Sequence, residues 1–437
     1  MVVKKPLTVG EKIKLLREAK GFNQAKLVQD LCSSTMSISR IERDIATCND
    51  EMLSTIKKTL GVEDAPLFEH ELTAYENRLV TLFNLIEDFN YTDARIVLDA
   101  MFPIMELPWE HDLSLMYSSL EALLKVMELA AKEGKQQGIN YSEININGEE
   151  SYPKHAMRKE VLFLYNYVKG TIYYYRNDNE NAIKYLMKLF DYASDDFKPD
   201  TKILTYIGTS YLYLNKPFKA TLWLERAKAI YSGSRARYVG SVLNQMLGTC
   251  YTITGEYKLA KELHEESLAQ ATSLNNKINV AIALLNLAVV SEGMGDIKES
   301  LRLCDQALQY FDKDESPLYY LTAIANKVGF LYKLKKYDEF RKLLNYGKSM
   351  AHIDESIAIQ FEAMSHYMTL KNNESTDYLE NVAIPRYRAS FDSVIVALEI
   401  CKLLENHYKR IGSSKKALTI AATIRDIYED MLIDGSA

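Results

Sequence analysis

From residue 170 onward one pattern recurs about every forty residues. A small residue is followed three positions later by an aromatic or polar one, and twelve positions later by another small residue. The copies are Gly170/Tyr173/Ala182, Gly208/Tyr211/Ala220, Gly248/Tyr251/Ala260 and Ala288/Ser291/Ser300. A fifth begins at Gly329/Tyr332 and then degenerates, and Tyr408/Ala417 fits a last one. Successive starts lie 38, 40, 40 and 41 residues apart. A unit of this length cannot bury its apolar face alone, so neighbours must stack. Small residues facing small residues mark where two helices of a hairpin approach closely. Asn177-Asp178-Asn179, Asn215-Lys216-Pro217, Thr254-Gly255-Glu256 and Gly293-Met294-Gly295-Asp296 supply the turns between them.

This is the logic of a tetratricopeptide repeat with helices longer than in the form of roughly 34 residues. The predicted class is all-α: an amino-terminal helix-turn-helix bundle, then a right-handed superhelix of tetratricopeptide-like hairpins. The expected division is 1–66 for the bundle and 67–437 for the repeats. Residues 69–129 have room for three further helices broken at Pro103 and Pro108. Residues 132–155, rich in Lys, Gly, Asn and Glu, read as a long surface loop.

The bundle is written between residues 9 and 61. Ile13 and Leu16 are spaced for one helix ending at Gly21, and Leu27, Leu31, Ile38 and Ile41 for two short helices around a Cys32-Ser33-Ser34 corner. Met52, Leu53, Ile56 and Leu60 are spaced for a fourth before Gly61. A helix pair with such a corner is a helix-turn-helix, whose second helix reads base edges in the major groove. The exposed candidates are Ser34, Thr35, Met36, Ser37, Arg40 and Arg43. Arg40 can fork onto guanine or phosphate, Thr35 and Ser37 can bond either, and Met36 offers apolar contact to a thymine methyl. Gln24 opens the preceding helix and is placed to bond a phosphate beside the backbone amides. Residues 1–60 carry 11 Lys and Arg against 7 Asp and Glu, a balance of +4. That leaves −10 for the rest of a chain of net charge −6, so double-stranded DNA is expected at this end alone, through two copies on two half-sites.

These residues resemble the Cro/C1 (Xre) type of helix-turn-helix. Gln24, Leu27, Ile38, Ser39, Arg40, Ile41, Glu42 and Arg43 match its motif. The resemblance implies that Arg17 pairs with Glu42, which makes both structural. Cys32 and Asp44 stand where the family usually has glycine in a left-handed conformation, which Asp tolerates better than most residues.

Stacked hairpins present the first helix of each pair to a concave wall suited to extended peptides. The wall positions are Tyr167, Thr171 and Tyr174, then Thr205 and Thr209, then Gln245, Thr249 and Thr252, then Glu292, then Asn326 and Lys333. Asn166, Asn244, Asn286 and Asn326 recur near one turn of that helix, and an Asn offers a donor and an acceptor to a peptide amide at once. The peptide-binding candidates are Asn166, Tyr167, Thr205, Asn244, Gln245, Asn286, Glu292 and Asn326. The competing reading is that Asn and Thr cap or solvate their own helices.

A Cro-type head joined to such repeats resembles the RRNPP superfamily of peptide-pheromone receptors, its NprR-like members above all. The resemblance implies a quorum-sensing regulator whose repeat-wall asparagines hold the backbone of a short signalling peptide. It also implies a homodimer formed through the repeats.

Other classes find little support. No HExxH, GxxxxGK(S/T), GxSxG or GxGxxG occurs, and the 7 histidines are scattered, so no catalytic residue, metal or cofactor is expected. The five cysteines form no CxxC pair and read as reduced thiols. The longest apolar run, 280–290, is too short for a bilayer and holds Asn286, so the expected place is the cytoplasm, away from membranes. Residues 69–129 lack Gln, and although Glu71, Glu76 and Glu87 are available there, phosphatase action is not expected. The alternative is a repeat scaffold that binds a partner protein, such as a phosphorelay component, without touching DNA.

Overall fold

The computed structural model describes residues 7–29, 34–101, 110–133, 141–146, 157–193, 198–231, 237–314, 316–388 and 394–432. Among them every regular element is helical, as the repeat predicts. The Cys32 corner and the proline breaks at 103 and 108 lie outside the described residues. The chain forms two compact units, 1–198 and 199–437.

The first unit opens with α1 (Val9–Ala19), α2 (Gln24–Val28), α3 (Thr35–Glu42) and α4 (Asp50–Thr59). Thr8 and Glu11 form a capping box that starts α1, and Asn23, Ser34 and Asn49 cap the next three helices through their side chains. Ile13, Leu16, Leu27, Ile38, Ile41 and Ile56 are buried as the shared core. Asp44 takes the expected left-handed conformation, with φ 55°.

Gly10 marks the tightest approach in the head. A β-carbon there would lie 2.0 Å from the carbonyl oxygen of Ile41, near the end of α3. Backbone cannot rotate away as a side chain can, so α1 or α3 would have to move. Gly10→Ala should therefore cost about 1–3 kcal/mol. Hydrogen exchange of the full chain checks this, since peptides of α1 to α4 should lose protection while peptides beyond residue 199 keep theirs.

Three helices follow, as expected: α5 (Glu69–Glu87), α6 (Tyr91–Asp99) and α7 (His111–Glu133). No floppy linker precedes them. Val62, Ala65 and Leu67 are buried, Lys12 Nζ donates to Leu67 O at 2.7 Å, and the Glu71 carboxylate accepts from the amides of Leu67 and Phe68. The stretch 132–155 differs from a plain surface loop. Residues 132 and 133 extend α7, and Tyr141, Ile144 and Ile146 are buried. The Arg176 guanidinium holds the carbonyls of Tyr141, Ser142 and Ile144. The unit continues with α8 (Lys159–Tyr175), α9 (Asn179–Met187) and α10 (Leu189–Tyr192).

In the second unit, hairpins α11 (Thr201–Tyr213)/α12 (Pro217–Ile230), α13 (Arg237–Thr254)/α14 (Tyr257–Ser273), α15 (Lys277–Gly293)/α16 (Ile297–Leu308) and α17 (Pro317–Lys333)/α18 (Tyr337–Met350) follow in order. Then come α19 (Glu355–Ser365), α20 (Asn373–Tyr378), a π-turn at Leu379–Ala383, α21 (Ile384–Arg388), α22 (Val394–Arg410) and α23 (Ser414–Leu432).

The hairpin turns obey one rule. Asn177, Asn215, Gly255, Gly295 and Lys335 all have positive φ, spaced 38, 40, 40 and 40 residues apart. The amide that follows each returns to a carbonyl five residues back, from Asp178 to Tyr173, Lys216 to Tyr211, Glu256 to Tyr251, Asp296 to Ser291 and Lys336 to Leu331. The last hairpin repeats the bond from Ser413 to Tyr408 after Gly412.

Small residues face small residues in one pair, where a β-carbon on Gly208 would come within 3.3 Å of the Ala220 carbonyl oxygen, but larger neighbours lie nearer. A β-carbon on Gly170, Gly208 or Gly248 would strike the side chain of Leu186, Leu224 or His264, at 2.5, 2.6 and 2.7 Å. Each partner lies four residues beyond the second small residue, on the next turn of the same helix face. Glycine thus makes room for a large side chain. In the fourth repeat Ala288 stands in the glycine's place and the matching position holds the smaller Cys304, both fully buried in one cluster.

Candidate functional site

The amino-terminal bundle is organised around one buried carboxylate. Arg17 Nε and Nη2 donate to Glu42 Oε1 and Oε2 at 2.6 and 3.0 Å, and Arg17 Nη1 donates to Phe22 O at 2.8 Å. The two side chains are 9% and 2% exposed. The hydrogen bond to Glu42 holds the guanidinium pKa above its ordinary value, against the cost of burial. Gln24, expected at a phosphate, donates Nε2 to Glu42 Oε2 at 2.7 Å. That bond was not anticipated from sequence. It fixes the start of α2 against the end of α3.

On the outer side of α3, Thr35 and Arg40 are exposed and Met36 is 71% exposed. The Arg40 guanidinium has no hydrogen-bond or ion-pair partner among the described residues, while its carbonyl accepts from the amides of Ile45 and Ala46. Arg43 Nε bonds its own helix at Ser39 O. Ser34 and Ser37 are partly occupied in capping, with Ser34 Oγ accepting from Ser37 N at 3.2 Å. The arrangement therefore offers a helix face with an unpaired fork, a hydroxyl and an exposed thioether, left open by the described residues.

The peptide candidates divide between the two units. In the first, Asn166 is buried and donates Nδ2 to Leu162 O at 2.6 Å. Tyr167 is buried and donates its hydroxyl to Glu87 at 2.8 Å.

In the second unit, Thr205, Asn244 and Gln245 are buried, and Asn286 and Asn326 are half-buried. Thr205, Thr249 and Thr252 bond the carbonyl four residues back in their own helices, as the competing reading supposed. Asn244 Nδ2 donates to Glu266 at 3.1 Å. Gln245 Nε2 and Thr209 Oγ1 are buried without a partner. Among the described residues, the Asn286 and Asn326 side chains have no hydrogen-bond partner either. Of these four, the half-buried Asn286 and Asn326 are the ones a peptide backbone could reach.

Glu292 sits in a cluster that the sequence only half disclosed. Lys333 Nζ donates at 2.6 Å to Glu292 Oε1 and at 2.6 Å to Glu399 Oε1, which joins α15, α17 and α22. Glu399, from the far end of the unit, was missed. Burial and then Glu399 push the Glu292 carboxyl above its ordinary range. Burial opposes the Lys333 charge, but Glu399 and Glu292 outweigh it and raise that pKa.

Lys333→Met should destabilise the second unit by about 1–3 kcal/mol at pH 7.5, because two carboxylates then face each other without a cation. Without Lys333, which lowers it, the Glu292 pKa rises further above its unfolded value, so proton uptake as pH falls rescues the variant more than the wild type and the deficit should shrink at pH 5. Thermal melts of both proteins at the two pH values measure it; a larger deficit at pH 5 would contradict this assignment.

A sequence profile of the tetratricopeptide repeat matches residues 238–313. No curated protein sequence matches the chain. Among solved structures, a Rap protein complexed with competence and sporulation factor aligns over 82% of this chain and 98% of its own, with TM-score 0.63 and 15% identity. The apo form of the quorum sensor NprR from B. thuringiensis aligns over 82% of this chain and 99% of its own, with TM-score 0.62 and 18% identity. NprR in complex with its cognate peptide NprX aligns over 81% and 99%, with TM-score 0.60 and 17% identity. The chain shares the tetratricopeptide-repeat fold of the Rap and NprR proteins. The architecture expected from the RRNPP resemblance is thus met at the level of fold. Among the described residues, no helix is long and apolar enough to cross a membrane and no group of His, Cys, Asp and Glu could hold a metal ion.

Proposed function

We propose that this chain is a DNA-binding transcriptional regulator of the RRNPP kind, switched by a short signalling peptide bound along its repeats. The observation that carries the reading is the uncovered face of α3, with Thr35, Met36 and Arg40 turned outward from a core locked by Arg17 and Glu42. Met36 alone would decide nothing, since Leu418 in a repeat helix is equally exposed at 71%; the support comes from Thr35, Met36 and Arg40 sharing the outer side of one short helix. The fold adds support, since the neighbours include a sensor bound to its cognate peptide. The head would be 1–66 and the sensor 67–437.

In this reading the protein acts as a homodimer. Each hairpin contributes a small rotation to the stack, so a peptide gripping several repeats shifts the two heads. Heads that read half-sites about one DNA turn apart lose register when displaced by a few ångströms. A decisive switch needs on the order of 10⁴-fold preference between the two states.

The scaffold or phosphorelay alternative draws on one neighbour, an aspartyl phosphate phosphatase with TM-score 0.52. Against it, the three glutamates considered for that role in 69–129 are engaged within the fold. Glu71 caps α5, Glu76 pairs with Arg158, and Glu87 holds Tyr167.

Titration calorimetry with synthetic peptides from small reading frames beside the gene tests the sensor. One peptide should bind, and Asn286→Ala and Asn326→Ala should each weaken it by about tenfold while leaving the melting temperature in place. Unchanged affinity in both variants would sink the clamp.

A further inference from the structure

Beyond the Glu292 bridge, one face of α22 continues from Glu399 through Leu403, Asn406 and His407 to Arg410. It forms one side of a cleft of about 680 Å³. The other sides are Tyr332 at the end of α17 and residues 367–372 between α19 and α20. The inner walls are apolar or aromatic, from Tyr332, Tyr367 and Leu403, whereas the rim carries Lys371 and Arg410. Both cations are exposed, neither has an ion-pair partner among the described residues, and no acidic residue lines the cleft.

His407 contributes a second, independent sign of an unfilled site. It is only 4% exposed, and its Nδ1 is buried with no hydrogen-bond partner. Burial, then Arg410 and Lys416, hold its pKa below the ordinary range, so the ring is neutral at pH 7. The neutral ring adds no charge of its own, so attraction for an anion rests on Arg410 and Lys371. Arg410 also sits where a cation suits the end of a helix, but that role does not account for Lys371 across the cleft.

We infer that this cleft binds an organic carboxylate with an apolar or aromatic body, its charge held by Arg410 and Lys371 and its body against Tyr332, Tyr367 and Leu403. A guanidinium fork matches the two oxygens of a carboxylate, and the ammonium adds a point charge. Tyrosine and leucine walls favour a ligand with a ring or branched chain behind that charge. Two sources share this chemistry, the free carboxyl end of a peptide and a free small acid. Only the first rests on the peptide-sensor reading.

The test is titration calorimetry of the full chain with N-acetyl-phenylalanine, its amide, phenylacetate and inorganic phosphate. The acids should bind saturably, the amide should not, and Arg410→Gln or Lys371→Gln should each weaken the acids by about tenfold. Both residues are exposed, so the variants should fold. Equal binding of acid and amide, unaffected variants, or binding of inorganic phosphate alone would overturn the inference. Competition by a pool of random heptapeptides with free carboxyl ends, but not by the same pool amidated, assigns the site to a peptide end. Phenylacetate binding that neither pool disturbs assigns it to a free acid, and the sensor reading then stands or falls on Asn286 and Asn326.

Discussion

Glu42→Ala should melt the amino-terminal head while the second unit stays folded. The carboxylate is buried at 2% side-chain exposure and accepts from Arg17 twice and from Gln24 once. Its removal leaves the 9%-exposed Arg17 guanidinium with only the Phe22 carbonyl and a longer contact to the surface carboxylate of Glu18 at 3.4 Å. An uncompensated buried charge costs about 3–5 kcal/mol, a large part of what a head of this size has in reserve. Glu42→Gln keeps the shape and one acceptor, so it should lose less. Hydrogen exchange of the full chain reads both variants, and head peptides should lose protection in the order Ala, then Gln, then wild type. A head that stays protected in Glu42→Ala would mean the buried ion pair is not what locks α1, α2 and α3 together.

Arg40→Ala should leave the head intact and weaken sequence-specific DNA binding at least about 30-fold. The side chain is exposed and unpartnered among the described residues, so truncation exposes no cavity and strands no charge. One bidentate arginine contact is worth about 1–3 kcal/mol of discrimination. A homodimer loses it in both half-sites, so the expected total is about 2–6 kcal/mol, or roughly 30-fold to more than 10⁴-fold in affinity. Thr35→Ala removes a single hydroxyl and should cost less. Fluorescence anisotropy beside an unchanged hydrogen-exchange pattern would separate a lost contact from a lost fold. An Arg40→Ala protein that binds as tightly as wild type would remove α3 from the groove.

Much of the fold was legible because the chain repeats its local solutions. A left-handed turn residue wants Asn or Gly, and Asn177, Asn215, Gly255 and Gly295 announce four turns in register. The fifth was faint because Lys335 takes that conformation without the usual residue. The pairing of Gly170, Gly208 and Gly248 with Leu186, Leu224 and His264 was misread because spacing reveals which residues share a face, not which ones meet across a hairpin. In the head, Arg17 and Glu42 were legible through a known motif. The bond from Gln24 to Glu42 was not legible because it depends on how α2 crosses α3.

The wall was the least legible part. Thr205, Thr249 and Thr252 satisfy themselves on their own helices, a choice that a threonine's position in sequence does not betray. Glu399 lies 66 residues from Lys333, and only the stacking of degenerate repeats brings the two together. The cleft above it draws on α17, α22 and the stretch between α19 and α20, where the repeat pattern has already faded.

The most direct test of a peptide-gated DNA reader is anisotropy of the purified full-length protein on the DNA upstream of its own gene. It should be run across a salt series, with and without the peptides encoded beside that gene. The account predicts specific binding that weakens steeply with salt, falls at least about 30-fold in Arg40→Ala, and changes by orders of magnitude with one peptide. Binding to no DNA at any salt, with or without peptide, would contradict it and leave the repeats as a scaffold for a protein partner.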